Sequence, residues 1–292
     1  MLEKYKKYDT KFTSSSELHP NSSYRMMFDL IEENKLVLDV GCSTGYLGKL
    51  LIKEKNCTVV GIDINPDVQK SLSNYYENFF VADLDTVSLT DLISDQKFDV
   101  IVFGDVLEHL KDPWRVLKES HDIIKPEGYV VASVPNIAHG AVILALLEGK
   151  FEYSKYGILD NTHLRFFTRE SVLKLFKDCG FFPEIVNCTE INFLSNSELI
   201  PRIDASKFSV EVLEVIHNCP DINVLQFIIK AYPNLFAQLH ATQQELVQTQ
   251  SQLHAIQQEL VQVKKSKFWK MRNLWLKIKR KLGMFRGISS QP

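Results

Sequence analysis

A glycine-containing segment near the start of the chain, VLDVGCSTGYLG at 37–48, has the residue types of a binding site for a polar ligand. It follows a short apolar run and opens a helical stretch, so backbone amides at the helix N-terminus can receive a polar or anionic group. A nicotinamide site would need Gly-x-Gly-x-x-Gly. Counted from Gly41, Ser43 and Tyr46 stand where the second and third glycines belong. The segment therefore predicts a cofactor site of another kind.

A second group of residues has the types and spacing of a metal site or an acid–base site. Asp105, Glu108 and His109 share one side of a helical turn, and His163 lies in the later segment NTHLRFFTRE. Two carboxylates and two imidazoles suit Mg²⁺, Mn²⁺, Fe²⁺ or Zn²⁺. Such an ion, or a positioned base, can deprotonate an alcohol. The structural alternative stays open: the carboxylates cap a helix and the histidines bond to the backbone.

His139 is a further candidate base. It follows Pro135-Asn136 and begins a strongly apolar helical stretch. Histidine titrates near neutral pH, which suits proton transfer. The alternative is a histidine that only satisfies local hydrogen bonds.

Elements that could position these residues alternate over residues 36–134. The β-branched or aromatic runs are LVLDV (36–40), TVVGID (58–63), NFFVAD (78–83), FDVIVF (98–103) and GYVVASV (128–134). Apolar strands separated by helices are typical of a parallel sheet covered on both faces. Strand candidates at 182–190 and 222–231 bring the total to about seven. The predicted fold class is α/β, a Rossmann-like doubly wound sheet.

A segment at about 136–168 interrupts this alternation. It contains an apolar helix at 138–148, closed by Gly149, and an aromatic loop. A helix at 169–179 follows, capped by Thr168. An insertion after the fifth strand lies where doubly wound folds place ligand-contacting loops, so we expect a helical lid within a domain at 1–232.

Composition restricts the function classes. The five cysteines are scattered without a CxxC spacing, which indicates a reducing compartment and argues against disulfides or a zinc knuckle. The N-terminus has no apolar signal region, and no run of about 18 apolar residues predicts a membrane span. Ten of the 34 Lys and Arg residues, and none of the 36 Asp and Glu residues, lie from Lys264 onward. The acidic body argues against extended nucleic acid and, with the cysteines, predicts a cytoplasmic protein.

The C-terminal part repeats: HATQQELVQT at 240–249 recurs as HAIQQELVQV at 254–263. Leu239, Leu246, Leu253 and Leu260 are seven apart, which predicts a coiled coil over 233–263 and a homodimer. The basic amphipathic tail at 264–292 predicts peripheral contact with the inner face of a membrane. The alternatives are a single solvated helix, and a tail that binds a partner protein or nucleic acid.

Asp39-Val-Gly41-Cys-Ser43-Thr-Gly45 resembles the Asp/Glu-x-Gly-x-Gly-x-Gly signature of class I S-adenosylmethionine-dependent methyltransferases, with serine for the middle glycine. The resemblance continues in order over residues 25–190. It implies that S-adenosylmethionine contacts the signature residues Asp39, Gly41, Ser43 and Gly45. It also implies that Asp63, with Ile64 beside it, holds the ribose hydroxyls, that Asp83 accepts a bond from the adenine amino group, and that Leu84 flanks the ring.

The Asp105-x-x-Glu108-His109 segment is similar to Glu-x-x-Glu-His in two metal-dependent groups, the ubiquinone-biosynthesis O-methyltransferases and the small-RNA 2′-O-methyltransferases. His163 matches a histidine in a later segment of the small-RNA enzymes. The resemblance implies a divalent ion on Asp105, Glu108, His109 and His163. Asp105 is one methylene shorter than the family's glutamate.

These observations predict an O-methyltransferase for a hydroxyl of a glycan, sugar or small molecule, and the basic tail favours a lipid-linked or surface-polysaccharide acceptor. One alternative is methylation of nitrogen or carbon in another small molecule or in nucleic acid. Another is a non-catalytic cofactor-binding scaffold, against which the intact Gly41, Gly45, Asp63 and Asp83 weigh.

Overall fold

A computed structural model describes residues 14–93, 96–233 and 235–265, together with residues 271, 272 and 275. The chain divides into two compact units, Met1–Gln238 and Leu239–Pro292. The described strands of the first unit are β1 (Leu36–Val40), β2 (Thr58–Asp63), β3 (Asn78–Val81), β4 (Phe98–Gly104), β5 (Ile124–Pro135), β6 (Phe182–Glu190) and β7 (Val224–Tyr232). They form one sheet in the order β3-β2-β1-β4-β5-β7-β6.

The pairing of the strands confirms the predicted α/β class. Strands β1 to β5 run parallel, whereas β7 is antiparallel to both β5 and β6. Residues 37–40 of β1 and residues 100–103 of β4 are buried, as expected for strands covered on both faces. Strand β5 begins at Ile124, four residues before the predicted start, because Ile124 pairs with Phe98 ahead of a register shift.

Helices cover the sheet and connect its strands. In the first unit they are α1 (Ser23–Leu30), α2 (Tyr46–Lys55), α3 (Gln69–Leu72), α4 (Leu89–Leu92), α5 (Pro113–Ile123), α6 (Gly140–Leu147), α7 (Arg169–Asp178) and α8 (Val210–His217). The predicted cap of α7 is present, since the Thr168 side chain accepts the Ser171 amide. Gly149 and Gly180 follow α6 and α7 with positive φ, which glycine adopts without steric cost.

The apolar core has two parts. The larger lies around the sheet and includes fully buried Phe98, Phe103, Phe176 and Phe227. The smaller is built from α6, residues 158–159 and residues 191–225. The segment at 136–168 therefore shares a second apolar core with residues 191–225, while its role as a lid stays a prediction.

Helix α9 (Leu235–Lys265) begins in the last residues of the first unit and continues into the second. The other described residues of the second unit, Met271, Arg272 and Trp275, are also helical. The predicted coiled coil falls on α9. The predicted basic amphipathic tail at 264–292 lies outside the described residues except for residues 264 and 265, at the end of α9, and Met271, Arg272 and Trp275. Within the described residues, no helix combines the length and the hydropathy needed to cross a membrane.

Candidate active site

The loop between β1 and α2 has a backbone shape suited to close approach of a ligand. Gly41, Ser43 and Gly45 all have positive φ, at 66°, 47° and 69°. A Cβ on Gly41 would lie 2.5 Å from Cγ2 of Val106, so the loop lies directly against the segment that follows β4. Ser43 keeps the left-handed conformation that the family signature gives to glycine, at a cost of about 1 kcal/mol.

Asp63, the last residue of β2, holds this loop in place. The Ser43 amide donates to Oδ2 of Asp63 at 2.7 Å, and the Asn65 amide donates to Oδ1 at 2.8 Å. Burial raises the pKa of the Asp63 carboxyl, and the backbone amides partly offset that rise. Asp63, which is predicted to bind the ribose, therefore also stabilises the cofactor loop.

Asp39 lies beneath the loop and is 5% exposed. The Tyr76 hydroxyl donates to Oδ2 of Asp39 at 2.7 Å. Burial raises the pKa of Asp39 to about 7, against the opposing effect of the Tyr76 hydrogen bond. Sequence reasoning missed Tyr76, which lies 37 residues away in a region without a recognisable motif.

The residues predicted to surround the adenine differ in accessibility. Asp83 is half-buried, and its Oδ1 accepts the Asp85 amide at 2.9 Å. Ile64 is 45% exposed, so its side chain is available to a ligand. Leu84 is 6% exposed and packs in the main core. The Leu84 side chain therefore contributes to the core, and its contact with the adenine ring stays a prediction.

Glu108, His109 and His163 come together just beyond β4. One ligand atom from each of these side chains lies within 4.8 Å of the others. The backbone fixes the arrangement, since the Leu164 and Arg165 amides donate to the Glu108 carbonyl at 2.8 and 3.0 Å. These bonds hold His163 beside a turn that lies 55 positions earlier in the chain.

The Glu108 side chain is buried without the hydrogen bonds that the two histidines make. It is 1% exposed, and within the described residues neither of its carboxylate oxygens has a hydrogen-bond partner. Burial, followed by the negative charge of Asp105, raises the pKa of Glu108 well above its usual range. Buried carboxylates are normally paired, hydrogen-bonded or bound to a metal ion. Its surroundings therefore suit a cation.

Both histidines of the cluster are oriented by carbonyl oxygens. Nδ1 of His109 donates to the Thr162 carbonyl at 3.1 Å, and Nδ1 of His163 donates to the Ile158 carbonyl at 2.9 Å. A proton on Nδ1 places the lone pair on Nε2 in each ring. Metal-binding histidines are commonly oriented in this way. The role of the Thr162 carbonyl was not predicted from the sequence, where only the adjacent His163 indicated a site in this segment.

Asp105 does not belong to the group of three. Its Oδ1 accepts from the Ser133 hydroxyl at 2.9 Å and from Nε2 of Gln226 at 2.7 Å. Those bonds direct the carboxylate toward β5 and β7. The structure therefore brings together three of the four predicted metal ligands and gives Asp105 a hydrogen-bonding role.

The structure also corrects the expectation that His139 is a base. His139 is fully buried and caps α6, where its Nδ1 accepts the Ala141 amide at 3.3 Å. Its Nε2 donates to the Ile191 carbonyl at 2.9 Å. Burial lowers the pKa of this imidazole. Both nitrogens are engaged with backbone groups, and the ring is fully buried, so His139 is a structural residue.

Comparison with known families decides what this loop and cluster belong to. Residues 19–183, more than half of the chain, match the family described as methyltransferase domain. The chain belongs to the methyltransferase domain family. The match covers the cofactor loop and all three residues of the cluster. The expected class I S-adenosylmethionine-dependent methyltransferase is confirmed at the level of family and fold.

Relatives of this methyltransferase include ubiquinone biosynthesis O-methyltransferases. The protein from Actinobacillus pleuropneumoniae is 27% identical over 152 residues, which are 45% of this chain and 64% of that protein. The protein from Hydrogenovibrio crunogenus is 27% identical over 183 residues, which are 60% of this chain and 73% of that protein. The chain spans less than two thirds of the length of the first relative.

Solved structures with a similar fold are more distant in sequence. A SAM-dependent methyltransferase from Archaeoglobus fulgidus is 21% identical with a TM-score of 0.48, covering 73% of this chain and 92% of its own. The 1,6-didemethyltoxoflavin-N1-methyltransferase of Burkholderia thailandensis, solved with S-adenosylhomocysteine, is 15% identical with a TM-score of 0.45. It covers 73% of this chain and 79% of its own.

Proposed function

We propose that this methyltransferase moves the methyl group of S-adenosylmethionine to a hydroxyl of a glycan, sugar or other small molecule. One observation carries the proposal: the cofactor loop and the Glu108–His109–His163 cluster follow neighbouring parallel strands, β1 and β4. The carboxyl ends of parallel strands share one edge of a sheet, which is where doubly wound folds bind ligands. Methyl donor and acceptor can therefore meet there.

The donor half of the site rests on the loop and Asp63. Gly41 and Gly45 allow the backbone to approach the cofactor, and the N-terminus of α2 lies next to them. Asp63 would accept from the ribose hydroxyls while it keeps the Ser43 amide in place. Ile64 offers an exposed apolar surface to the adenine.

The acceptor half rests on the cluster. Glu108, His109 and His163 would hold a divalent ion through one carboxylate and two imidazole Nε2 atoms. The buried Glu108 carboxylate without a hydrogen bond is the observation that supports this fit. When bound, such an ion lowers the pKa of an acceptor hydroxyl. The chain's own residues orient that hydroxyl beside the methyl donor.

The transfer itself forms one bond and breaks one. The acceptor oxygen uses a lone pair to bond the methyl carbon, and the carbon–sulfur bond breaks with its electrons staying on sulfur. S-adenosylhomocysteine and the methyl ether are the products. With an ion on Nε2 of His109, the hydroxyl proton would pass to water. In a mechanism without the ion, half-buried His109 would accept the proton at Nε2.

A polar recess beside the sheet supports a sugar as acceptor. It has a volume of about 580 Å³ and is lined by Asn21, Asn187, Cys188, Glu190, Asn192 and Asn223. The side-chain oxygens of all four asparagines accept backbone amides. The Asn21 NH₂ group donates to the Glu190 carbonyl, and those of Asn187, Asn192 and Asn223 can donate to sugar oxygens. A hydrogen-bonded path leads from Thr189 through Gln226 to Asp105, from β6 to the end of β4.

A ring-bearing acceptor is the second candidate, and a chain of aromatic contacts favours it. Exposed Tyr153 contacts Phe151, Phe151 contacts Phe166, and Phe166 contacts His163, with ring centroids 5.5, 5.7 and 6.3 Å apart. Such a row of rings can stack against a planar substrate. The relatives named for ubiquinone biosynthesis are consistent with this candidate.

A methyl-transfer assay tests the proposal. The full chain is incubated with radiolabelled S-adenosylmethionine and either sugars, nucleotide sugars or catechol-type phenols, with EDTA or with added Mg²⁺, Mn²⁺, Fe²⁺ or Zn²⁺. We expect ether products on one acceptor class, loss of turnover in EDTA, and unchanged cofactor affinity. Glu108→Gln should behave like EDTA treatment, and Glu127→Gln, at an exposed position of β5, should behave like wild type. Turnover that EDTA and Glu108→Gln leave intact would refute the metal, and methylation of nitrogen or carbon alone would refute the hydroxyl acceptor.

A further inference from the structure

Helix α9 carries an exposed apolar stripe along its length. Leu239, Leu246, Leu253 and Leu260 are 59, 56, 55 and 49% exposed. Ile256 and Val263 accompany them at 62 and 51%. Side chains of this size are costly to leave in water, and a stripe with a seven-residue repeat is typical of helices that pack on other helices.

The spacing within the stripe assigns each residue to a core position. A threonine, isoleucine or valine follows each leucine after three positions. The next leucine comes four positions after that residue. A heptad has three positions from a to d and four from d to the next a. The leucines therefore occupy a. The d positions hold Thr242, Thr249, Ile256 and Val263.

This order of residues is informative about the number of chains. Parallel dimers favour β-branched residues at a and leucine at d, whereas leucine at a with isoleucine at d shifts the preference to three or four strands. Leu253 with Ile256 has the second arrangement, and the other d positions hold the β-branched residues Thr242, Thr249 and Val263. From Leu239 to Val263, no heptad has the β-branched a and leucine d of a parallel dimer. We propose that α9 joins three or four copies of this chain in a parallel coiled coil, rather than two.

The residues beside the stripe are compatible with copies of the same chain in register. Gln243, Gln250 and Gln257 occupy the e positions, so like charges do not face one another there. In a parallel coiled coil, the residue at position g of one helix faces the residue at position e, five residues later, of the adjacent helix. Glu259 at g would face position 264, which is lysine in the sequence. This pair of opposite charges favours the parallel direction.

The parallel direction has a consequence for the basic C-terminal sequence. It would bring the segments after position 265 from all copies to the same end of the coiled coil. By sequence these segments are rich in lysine and arginine and have no acidic residue. Several copies of a weak anion-binding segment can bind one surface much more tightly than a single copy does.

The mass of the full chain in solution tests the proposal. Sedimentation equilibrium is measured over a hundredfold range of concentration at moderate salt. The expected mass is three or four times the 33.6 kDa of one chain. A mass of one or two copies throughout that range would overturn the proposal.

A core-swapped variant tests whether the stripe sets the number of copies. Leu246→Ile, Thr249→Leu, Leu253→Ile and Ile256→Leu together place β-branched residues at a and leucine at d. The variant is expected to sediment as a dimer with unchanged helix content by circular dichroism. The matched control changes outward f positions, Gln244→Ala and Ser251→Ala, and keeps the wild-type mass. If the swapped variant also keeps the wild-type mass, or if the control changes it, the stripe is not the interface.

Discussion

Replacing Glu108 by methionine is expected to stabilise the metal-free chain and to remove its response to divalent ions. The carboxylate is 1% exposed and within the described residues has no hydrogen bond. An unsatisfied buried polar group costs about 1–3 kcal/mol. Methionine has a similar length and no such requirement, so the free energy of unfolding should rise by about that amount in EDTA.

The stability gained on adding a divalent ion should be larger in wild type than in Glu108→Met. An ion that binds only the folded chain adds about 2.7 kcal/mol at 100 times its dissociation constant. Wild type should gain this stability when the ion is added, and Glu108→Met should gain much less because one of three ligands is missing. For a domain of this size, each kcal/mol corresponds to a shift in melting temperature of roughly 2–4 °C.

The assay is thermal unfolding with each of Mg²⁺, Mn²⁺, Fe²⁺ and Zn²⁺ and with EDTA, on wild type, Glu108→Met and the exposed control Glu127→Gln. The control should follow wild type under all conditions. If wild type ignores every ion and Glu108→Met unfolds at a lower temperature than wild type in EDTA, Glu108 stabilises the fold directly. The cation-site interpretation would then be refuted.

Three further predictions concern the loop and the corrected histidine. Because burial raises the pKa of Asp39 from 3.8 to about 7, the folded state holds a proton that the unfolded state has lost, and stability should fall as pH rises through that window. Between pH 5 and pH 8 the loss is about 3 kcal/mol, and Asp39→Asn should remove it. Denaturant titrations at the two pH values measure it, and a loss of the same size in the variant would contradict the prediction. Gly41→Ala combines positive φ with a clash against Val106 and should lower both the melting temperature and the cofactor affinity; wild-type values for both would contradict this. His139→Ala should lower the free energy of unfolding by about 2–4 kcal/mol. Its turnover per folded molecule should stay near wild type, where loss of a base would cost about a hundredfold.

The centre of the sheet was predictable from sequence because β1, β2 and β4 are short apolar runs with clear ends. The runs at 36–40 and 58–63 match β1 and β2 residue for residue. Strands β6 and β7 were also placed within two residues of their ends. Local signals such as Thr168 before α7 and Gly180 after it fixed the helix boundaries in the same way.

The site was predictable only where its residues share a motif. Glu108 and His109 are adjacent, and the family resemblance pointed to His163. The bonds that orient the imidazoles come from carbonyls of Thr162 and Ile158, which have no residue-type signature. Tyr76 beneath Asp39 was missed for the same reason. A histidine in a lid segment resembles a base in sequence, and only the buried backbone partners of His139 show that it is structural.

Calorimetric titration of the full chain with S-adenosylmethionine tests the central claim most directly. The expected result is one site per chain, with affinity reduced roughly tenfold or more in Asp63→Ala, a loss of about 1.5–3 kcal/mol. Asp67→Ala, which removes a nearby exposed carboxylate, should bind like wild type. An intact chain that binds no S-adenosylmethionine, or an Asp63→Ala variant that binds it as wild type does, would contradict the account.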